Sequence, residues 1–204
     1  TFADEIGGDF LNLSYCFKQF KYSLMENQSD EILWSLYLKG DKEALEQIYR
    51  RYYPLLLNYG CRLSANQDLV QDCIQNLFIK LMSKSGTYQP PSVKGYLLKA
   101  FRNNLLDSLE KEEKHNDFIF IDEIPEVYHT TTEEESALKE DISNLSLAYQ
   151  ELSAKQKEIL YLFYIKGISH KEIPDILNIN YQSSKNRLSQ SLVQLRKIFF
   201  LNKK

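Results

Sequence analysis

Two helical segments near the C-terminal end, joined by a very short connection, constrain this chain more than any other feature. The sequence NYQSSKNRLSQSLVQLRK, from Asn180 to Lys197, carries an apolar stripe at helical spacing that includes Leu188 and Leu192. The segment SHKEIPDILN lies just upstream, and a tight Asn-Ile-Asn connection ending at Asn180 joins the two. A short helix, a tight turn and a longer helix are typical of a helix-turn-helix.

The second face of the longer segment carries polar groups and no large apolar residue. Its members recur at i, i+3, i+4 and i+7: Gln182, Lys185, Asn186 and Ser189, with Ser183 and Arg187 beside them. Amides such as Gln182 and Asn186 suit adenine edges, whereas Lys185 and Arg187 suit guanine or phosphate. The pattern leaves two interpretations open, a DNA-reading face and the solvated face of a three-helix core.

Amphipathic periodicity predicts helices through most of the preceding chain. The first holds Ile32–Tyr37 and ends at Gly40, and Asp41 is a predicted N-cap for the next helix. Further helices are predicted over Lys42–Asn58, with a kink at Pro54, and over Gln67–Met82 and Val93–Lys111; Gly60 and Ser64–Asn66 predict a turn. Towards the C-terminus, Ser153 and Ser169 each open a capping-box pattern, and Gly167 separates the two helices.

The charge is distributed unevenly along the chain. The net charge of the whole chain is −3. Residues 112–140 hold ten acidic and two basic residues, a net charge of −8, whereas residues 141–204 hold ten basic and five acidic residues, a net charge of +5. The acidic segment has little periodicity and a Thr130–Thr132 run, which predicts a flexible linker.

Composition argues against several classes of protein. No apolar run approaches the roughly 20 residues of a membrane span. Cys16, Cys61 and Cys73 have no metal-binding spacing, and an odd number of cysteines favours a reducing, cytoplasmic setting. No nucleophile–base pair, phosphate loop or set of metal ligands is recognisable. We therefore predict neither a catalytic activity nor a cofactor.

Two further groups of residues are candidates for binding. One edge of the Gln67–Met82 helix forms an acidic-amide strip at i, i+3, i+4 and i+7: Asp68, Gln71, Asp72 and Gln75. Around the next loop and helix, aromatic residues alternate with cationic and amide groups: Tyr88, Tyr96, Lys99, Arg102 and Asn103. Such a mixture offers stacking faces and cations to single-stranded nucleic acid. A solvated strip and two tyrosines packed in the core are the alternatives.

Taken in this order, the three groups resemble bacterial sigma factors of the extracytoplasmic-function group. The strongest likeness lies in DLVQDCIQNLFIKL, VKGYLLKAFRNNLLDSLEK and LSAKQKEILYLFYIKGISHKEIPDILNINYQSSKNRLSQSLVQLRK. The resemblance implies an all-α protein of two small helical domains joined by an acidic flexible linker, the C-terminal one a helix-turn-helix. It implies that residues 30–111 bind core RNA polymerase and the minus-ten element, that 112–140 form the linker and that 141–204 bind the minus-thirty-five element. Residues 1–29 would be an extension of unknown role.

The resemblance also implies a role for each group of residues. Asp68, Gln71, Asp72 and Gln75 match the helix that docks on the polymerase clamp. Tyr88, Tyr96, Lys99, Arg102 and Asn103 match the loop and helix that capture the melted minus-ten strand. Residues 182–189 match the helix that reads duplex minus-thirty-five DNA. Many such factors are held inactive by an anti-sigma factor, which is therefore a further candidate partner.

Some positions depart from the family pattern. Tyr96 stands where Trp is common and keeps a stacking face, whereas Gln190 replaces a common Arg and removes a phosphate contact. Pro174 stands where Ala is usual, so its helix is expected to start late or bend. The alternative functions are a stand-alone helix-turn-helix regulator, which would bind DNA without polymerase, and a pure protein-interaction module.

Overall fold

All regular structure in the described part of the chain is helical, as predicted. The computed structural model describes residues 27–83, 87–111, 120 and 133–202, with backbone alone for 133–139. The helices are α1 Asp30–Leu38, α2 Lys42–Leu63, α3 Gln67–Ser83, α4 Val93–Lys111, α5 Glu133–Gln150, α6 Ala154–Leu160, α7 Ile173–Leu177 and α8 Tyr181–Asn202. Helix α6 continues into a π-helical segment, Tyr161–Ile165.

The chain divides into two compact units that do not follow the predicted domain boundary. One unit draws on Thr1–Leu55 and Phe78–Lys94, and the other on Leu56–Leu77 and Gly95–Lys204. Helices α2 and α3 therefore contribute to both units. The second unit contains the helix-turn-helix together with most of α4, which the sequence assigns to the other predicted domain.

In the first unit, aromatic residues of α1 tie that helix to the chain around the end of α3. Trp34 is 2% exposed, and its indole N–H donates a hydrogen bond of 2.9 Å to the Tyr88 carbonyl. The Tyr37 hydroxyl donates a bond of 2.8 Å to the Leu81 carbonyl. The two rings pack edge to face with centroids 5.1 Å apart. Helix α1 thus holds the backbone at the end of α3 and in the loop that leads to α4.

The start of α1 is attached to α2 by a small polar cluster. The Asp30 carboxylate accepts a hydrogen bond of 2.6 Å from Arg51 and another from the Tyr52 hydroxyl. Burial, and then the bond to Asp30, raise the pKa of Tyr52 above its ordinary value, so this phenol keeps its proton. Asp41 caps α2 as predicted, accepting a bond of 3.1 Å from the Ala44 N–H.

The prediction of a turn at Gly60 was wrong, because α2 continues past both Pro54 and Gly60 to Leu63. The glycine serves close packing instead. A Cβ atom at this position would lie 2.5 Å from Val70 Cγ1 and 2.7 Å from Phe101 Cζ. Sequence alone does not distinguish a glycine that ends a helix from one that lets two helices approach.

The capping boxes are present, but the second one does not begin a helix directly. The Ser153 N–H donates a bond of 3.0 Å to Gln156, and α6 begins at the next residue, as predicted. The Ser169 N–H makes the same bond to Glu172, yet α7 begins only at Ile173. Pro174 occupies the first turn of α7, where its missing N–H costs least. The predicted late start is therefore confirmed.

Helix α5 begins inside the segment predicted as a flexible linker. Its first residue is Glu133, and residues 133–140 are helical. The remainder of the predicted linker lies outside the described residues, except for Phe120. This phenylalanine is buried, with its ring centroid 5.5 Å from that of Tyr161.

Replacing Gly60 with Ala should destabilise the protein by about 1–3 kcal/mol, because the new methyl group has no room. The usual effect of this change inside a helix is the opposite, a gain of about 0.5–1 kcal/mol. Urea unfolding monitored by circular dichroism measures the difference, with Gln194→Ala on the exposed side of α8 as the control. A more stable Gly60→Ala variant would contradict the close packing.

Candidate nucleic-acid and protein interfaces

The two faces of α8 separate as the sequence predicts. Leu188 and Ile198 are buried, Leu192 and Leu195 are partly buried, and α8 packs on α5, α6 and α7. The candidate DNA-reading residues are exposed, apart from a partly buried Arg187: Gln182, Ser183, Lys185, Asn186, Arg187 and Ser189. The side chains on this face are thus available to a duplex.

The N-terminal end of α8 is well ordered by its own side chains. Asn180 accepts a hydrogen bond of 2.7 Å from the Ser183 N–H and so caps the helix. Gln182 donates a bond of 2.9 Å to Asn186, one turn further on. The Lys185 ammonium lies 5.7 Å from the centre of the Tyr181 ring. These contacts define the positions of the polar side chains at the start of α8.

The acidic-amide strip lies on the outer side of α3. Asp68, Asp72 and Gln75 are exposed and Gln71 is partly exposed, whereas Val70, Cys73 and Ile74 on the opposite side are buried. The strip therefore faces solvent in this structure. Its two carboxylates and two amides offer acceptors and donors to a partner with basic and polar groups.

Tyr88 belongs to the first unit and displays its side chain. The residue is 60% exposed, while its backbone carbonyl accepts the hydrogen bond from Trp34 described above. A ring that is exposed on a fixed backbone is well placed to stack on an unpaired base. The alternative that Tyr88 is a core residue is therefore wrong.

The other candidate residues of the minus-ten group lie on α4 in the second unit. Lys99, Arg102 and Asn103 follow one side of that helix, with Tyr96 partly exposed one turn before Lys99. Each of the three contacts a residue of the C-terminal helices. Lys99 lies 3.7 Å from Asp175, and Asn103 accepts a hydrogen bond of 2.9 Å from Asn178.

Arg102 makes the strongest of these contacts, with a buried carboxylate. Its guanidinium donates hydrogen bonds of 2.8 and 3.3 Å to Glu158, which is 1% exposed, and the Tyr59 hydroxyl donates a third of 2.6 Å. Burial by itself would lower the pKa of Arg102, but the hydrogen bond and charge of Glu158 raise it above its ordinary value. Burial and the same charge raise the pKa of Tyr59.

Tyr161 forms an aromatic centre beside this ion pair. Its hydroxyl donates a bond of 2.8 Å to Asn58, and its ring stacks on Tyr59 with centroids 6.1 Å apart. The cationic groups of Arg62 and Lys166 lie 4.7 and 5.1 Å from the same ring. The polar and aromatic contacts together join α2, α4 and the C-terminal helices into one unit.

Sequence reasoning did not single out Glu158, Tyr161, Tyr59 or Asn178. The sequence contains one signal for Glu158, which is a lone acidic residue directly before the apolar run ILYLFYI. A helix segment of this kind has no solvated face for the carboxylate, which then needs a partner. Asn178 carried a weaker signal as the residue after a short helix. It adopts a left-handed conformation with φ of 52°, which asparagine tolerates well.

The described residues contain no group of three or more His, Cys, Asp or Glu side chains that could hold a metal ion. Among them no helix is both long enough and apolar enough to cross a membrane.

Family models match two parts of this chain. The model of sigma-70 region 2 matches residues 48–115, and the model of sigma-70 region 4 matches residues 143–195. Together the two matches span more than half of the chain. They include α3, the exposed Tyr88, α4 and the helix-turn-helix.

Curated relatives with similar sequences are also sigma factors. The ECF RNA polymerase sigma factor SigM of Bacillus subtilis (strain 168) is 22% identical over 157 residues, which are 76% of this chain and 95% of SigM. The ECF RNA polymerase sigma factor SigE of Mycolicibacterium smegmatis (strain ATCC 700084 / mc(2)155) is 24% identical over 166 residues, 77% of this chain and 63% of SigE.

Two solved structures have a similar fold. One is CnrH in complex with the cytosolic domain of CnrY, with a TM-score of 0.56 and 16% identity over 85% of this chain and 99% of the solved one. The other is the sigma factor RpoE of Bartonella quintana, solved with the anti-sigma factor NepR. Its TM-score is 0.52, with 21% identity over 75% of this chain and 94% of the solved one.

Replacing Asn180 with Ala should destabilise the helix-turn-helix by about 1 kcal/mol, because the Ser183 N–H loses its cap. Replacing it with Ser should restore most of this loss, since a serine hydroxyl also caps well. Thermal unfolding of the full chain compares the two variants with the parent protein. Equal stability of Asn180→Ala and the parent would contradict the cap.

Proposed function

The chain belongs to the extracytoplasmic-function group of the sigma-70 family. We propose which of its surfaces binds core RNA polymerase and which binds each promoter element. As an alternative sigma factor it binds core RNA polymerase and promoter DNA and directs promoter-specific transcription initiation. One observation carries this conclusion: regions 2 and 4 occur in one chain and in that order. A stand-alone helix-turn-helix regulator would have no use for region 2, and that alternative is set aside.

The acidic-amide strip of α3 is the surface proposed to bind core RNA polymerase. Its proposed contacts are Asp68, Gln71, Asp72 and Gln75. Support comes from its exposure along a helix whose opposite side is packed into the protein. Exposed carboxylates can attract a basic polymerase surface over several ångströms and orient the encounter.

The minus-ten strand is proposed to be captured by the loop before α4 and by α4 itself. Tyr88 and Tyr96 would supply stacking faces, while Lys99 and Arg102 would neutralise phosphates. Asn103 would hydrogen-bond to the edge of an unstacked base. The exposed ring and anchored backbone of Tyr88 support this role, because a flipped base needs a fixed surface on which to stack.

The minus-thirty-five element is proposed to be read by the first turns of α8. Gln182 and Asn186 would face base edges in the major groove, and Lys185 and Arg187 would contact guanine or phosphate. Ser183 and Ser189 complete the face. The capped N-terminus and the bond between Gln182 and Asn186 support this proposal, since ordered side chains lose less entropy on binding.

Three further proposals follow from the family. The chain has no catalytic activity of its own, since family identity suggests a specificity subunit of the polymerase. It acts in the cytoplasm, where a bacterial polymerase and its promoters are found. An anti-sigma factor is a candidate partner, because the similar protein RpoE was solved with the anti-sigma factor NepR.

Replacing Asp72 with Lys should weaken binding to core RNA polymerase at least about tenfold, through repulsion from a basic surface. The test is co-elution of the full chain with core polymerase on a sizing column without DNA, followed by titration of a labelled chain. Asp107→Lys makes the same charge change on the exposed side of α4 and serves as the control. Equal affinities of the two variants would remove the strip from the interface, and failure of the parent chain to co-elute would overturn the proposed function.

Replacing Trp34 with Phe should slow promoter opening about fivefold and leave the unmelted complex intact. The change keeps an aromatic ring beside Tyr37 but removes the N–H that holds the Tyr88 carbonyl, a loss of about 1 kcal/mol. Permanganate reactivity of the melted strand measures opening, and fluorescence anisotropy at low temperature measures binding before opening. Tyr53→Phe is the control within the same unit. An equal loss in both measurements would show a packing defect instead.

A further inference from the structure

Tyr181, the first residue of α8, is an aromatic residue beside the face proposed to read the minus-thirty-five element. It is 50% exposed, and it does not belong to the group of polar residues assigned to that face. A single exposed tyrosine is ordinary on a protein surface. The position of this one is not ordinary, because the N-terminal residues of a recognition helix are those that contact base edges in the major groove.

The backbone that carries this ring is fixed by the first turn of α8. The Asn180 carbonyl accepts a hydrogen bond of 3.0 Å from the Ser184 N–H, and the Asn180 side chain accepts the bond from Ser183 described above. Ser184 and Leu188, on the inner side of the same helix, are 2% and 4% exposed. A tyrosine side chain has only two rotatable bonds, so a ring on a fixed backbone loses little entropy when it packs against a ligand.

Lys185 lies one turn further along α8 and is exposed beside Tyr181. Its ammonium is 5.7 Å from the centre of the Tyr181 ring, within the range of a cation–π contact. An ammonium held there is a point charge at the edge of the reading face, which suits a phosphate of the DNA backbone. The exposed part of the ring is then left for the edge of a base.

Thymine is the base that such a ring can distinguish from the others. Of the four bases, only thymine presents an apolar group in the major groove, its 5-methyl group. The carbon atoms of an aromatic ring remove that methyl group from water at no cost in hydrogen bonds, whereas an amide or an ammonium would have to give up its own water. Gln182 and Asn186 suit adenine edges, so an aromatic neighbour adds a contact with a different base.

We propose that Tyr181 determines promoter specificity by packing its ring against the methyl group of one thymine in the minus-thirty-five element, while Lys185 contacts an adjacent phosphate. This inference rests on the proposed function and deepens it, because it adds a base preference at one position and selects phosphate as the partner of Lys185. The Tyr181 hydroxyl is not needed for the contact. A tyrosine that only donated a hydrogen bond to phosphate would add affinity without any preference for thymine.

The test uses the full chain bound to core RNA polymerase and a labelled duplex whose upstream element that complex has selected from random sequence. Each thymine of the element is replaced in turn with deoxyuridine, which lacks only the methyl group. We expect one replacement to weaken binding about fourfold, the loss that corresponds to one buried methyl group, as measured by fluorescence anisotropy.

Two variants of Tyr181 and one control connect this loss to the ring. The Tyr181→Ala complex should bind the thymine and deoxyuridine duplexes equally, whereas Tyr181→Phe, which keeps the ring, should retain the fourfold difference. Tyr164→Ala makes the same change at a tyrosine that is 58% exposed and lies outside α8, so it should behave as the parent.

A separate variant tests the role of Lys185. Lys185→Gln should reduce the slope of log affinity against log salt concentration by about 0.9, because one phosphate contact is lost. It should weaken binding to the thymine and deoxyuridine duplexes in the same proportion. An unchanged slope would overturn the phosphate contact of Lys185.

The outcomes that contradict the role of Tyr181 are distinct from a failure of the proposed function. A parent complex that is insensitive to every deoxyuridine, or a fourfold difference that survives in Tyr181→Ala, would overturn the inference. Equal losses of affinity in Tyr181→Phe and Tyr181→Ala would indicate a hydroxyl bond to phosphate and would overturn it as well. Circular dichroism checks that each variant is helical. The proposed function itself fails if Asn186→Ala selects the same upstream sequence as the parent.

Discussion

The second unit depends on how one buried carboxylate is satisfied. An unpaired glutamate inside a protein would cost several kcal/mol, so Glu158 at 1% exposure requires partners. Arg102 supplies a cation and two hydrogen bonds, and Tyr59 supplies a third bond. These groups come from α6, α4 and α2. Because a hydrogen bond tolerates little displacement, the carboxylate sets the positions of three helices relative to one another.

Aromatic packing around Tyr161 joins the same helices as the hydrogen bonds of Glu158. The ring of Tyr161 stacks on Tyr59, and the cations of Arg62 and Lys166 lie near it. Burial raises the pKa of Tyr161, and Arg62 opposes this only in part, so the hydroxyl remains a donor to Asn58. Apolar area thus supplies the attraction, and the polar groups select one arrangement from the many that would bury similar area.

Local signals were sufficient to predict most helices and the exposed faces of α3 and α8. The Val93–Lys111 helix has the predicted bounds because the Pro90–Pro91 pair excludes an earlier start. The capping residues Asp41 and Ser153 act within three residues of themselves, so their roles can be read from sequence. Gly60 was misjudged because its role depends on Val70 and Phe101, which only the fold brings near.

The contacts of Arg102 could not be predicted for the same physical reason. Its partner lies 56 residues away, and nothing in the local pattern distinguishes an arginine that binds phosphate from one that binds a buried glutamate. Both roles use the same planar donors. The family resemblance assigned Arg102 to DNA, whereas the structure pairs it with Glu158.

Asn178 has two roles, one in the local backbone conformation and one in a contact with a distant helix. Pro174 delays the start of α7, so this helix is short and must end at once to leave the tight turn before α8. The left-handed conformation at Asn178 ends it, and the Ile179 N–H bonds back to the Pro174 carbonyl at 3.0 Å. Glycine would meet that backbone requirement more easily, but it would have no amide to offer Asn103. An asparagine here therefore satisfies both the turn of the helix-turn-helix and the contact with α4.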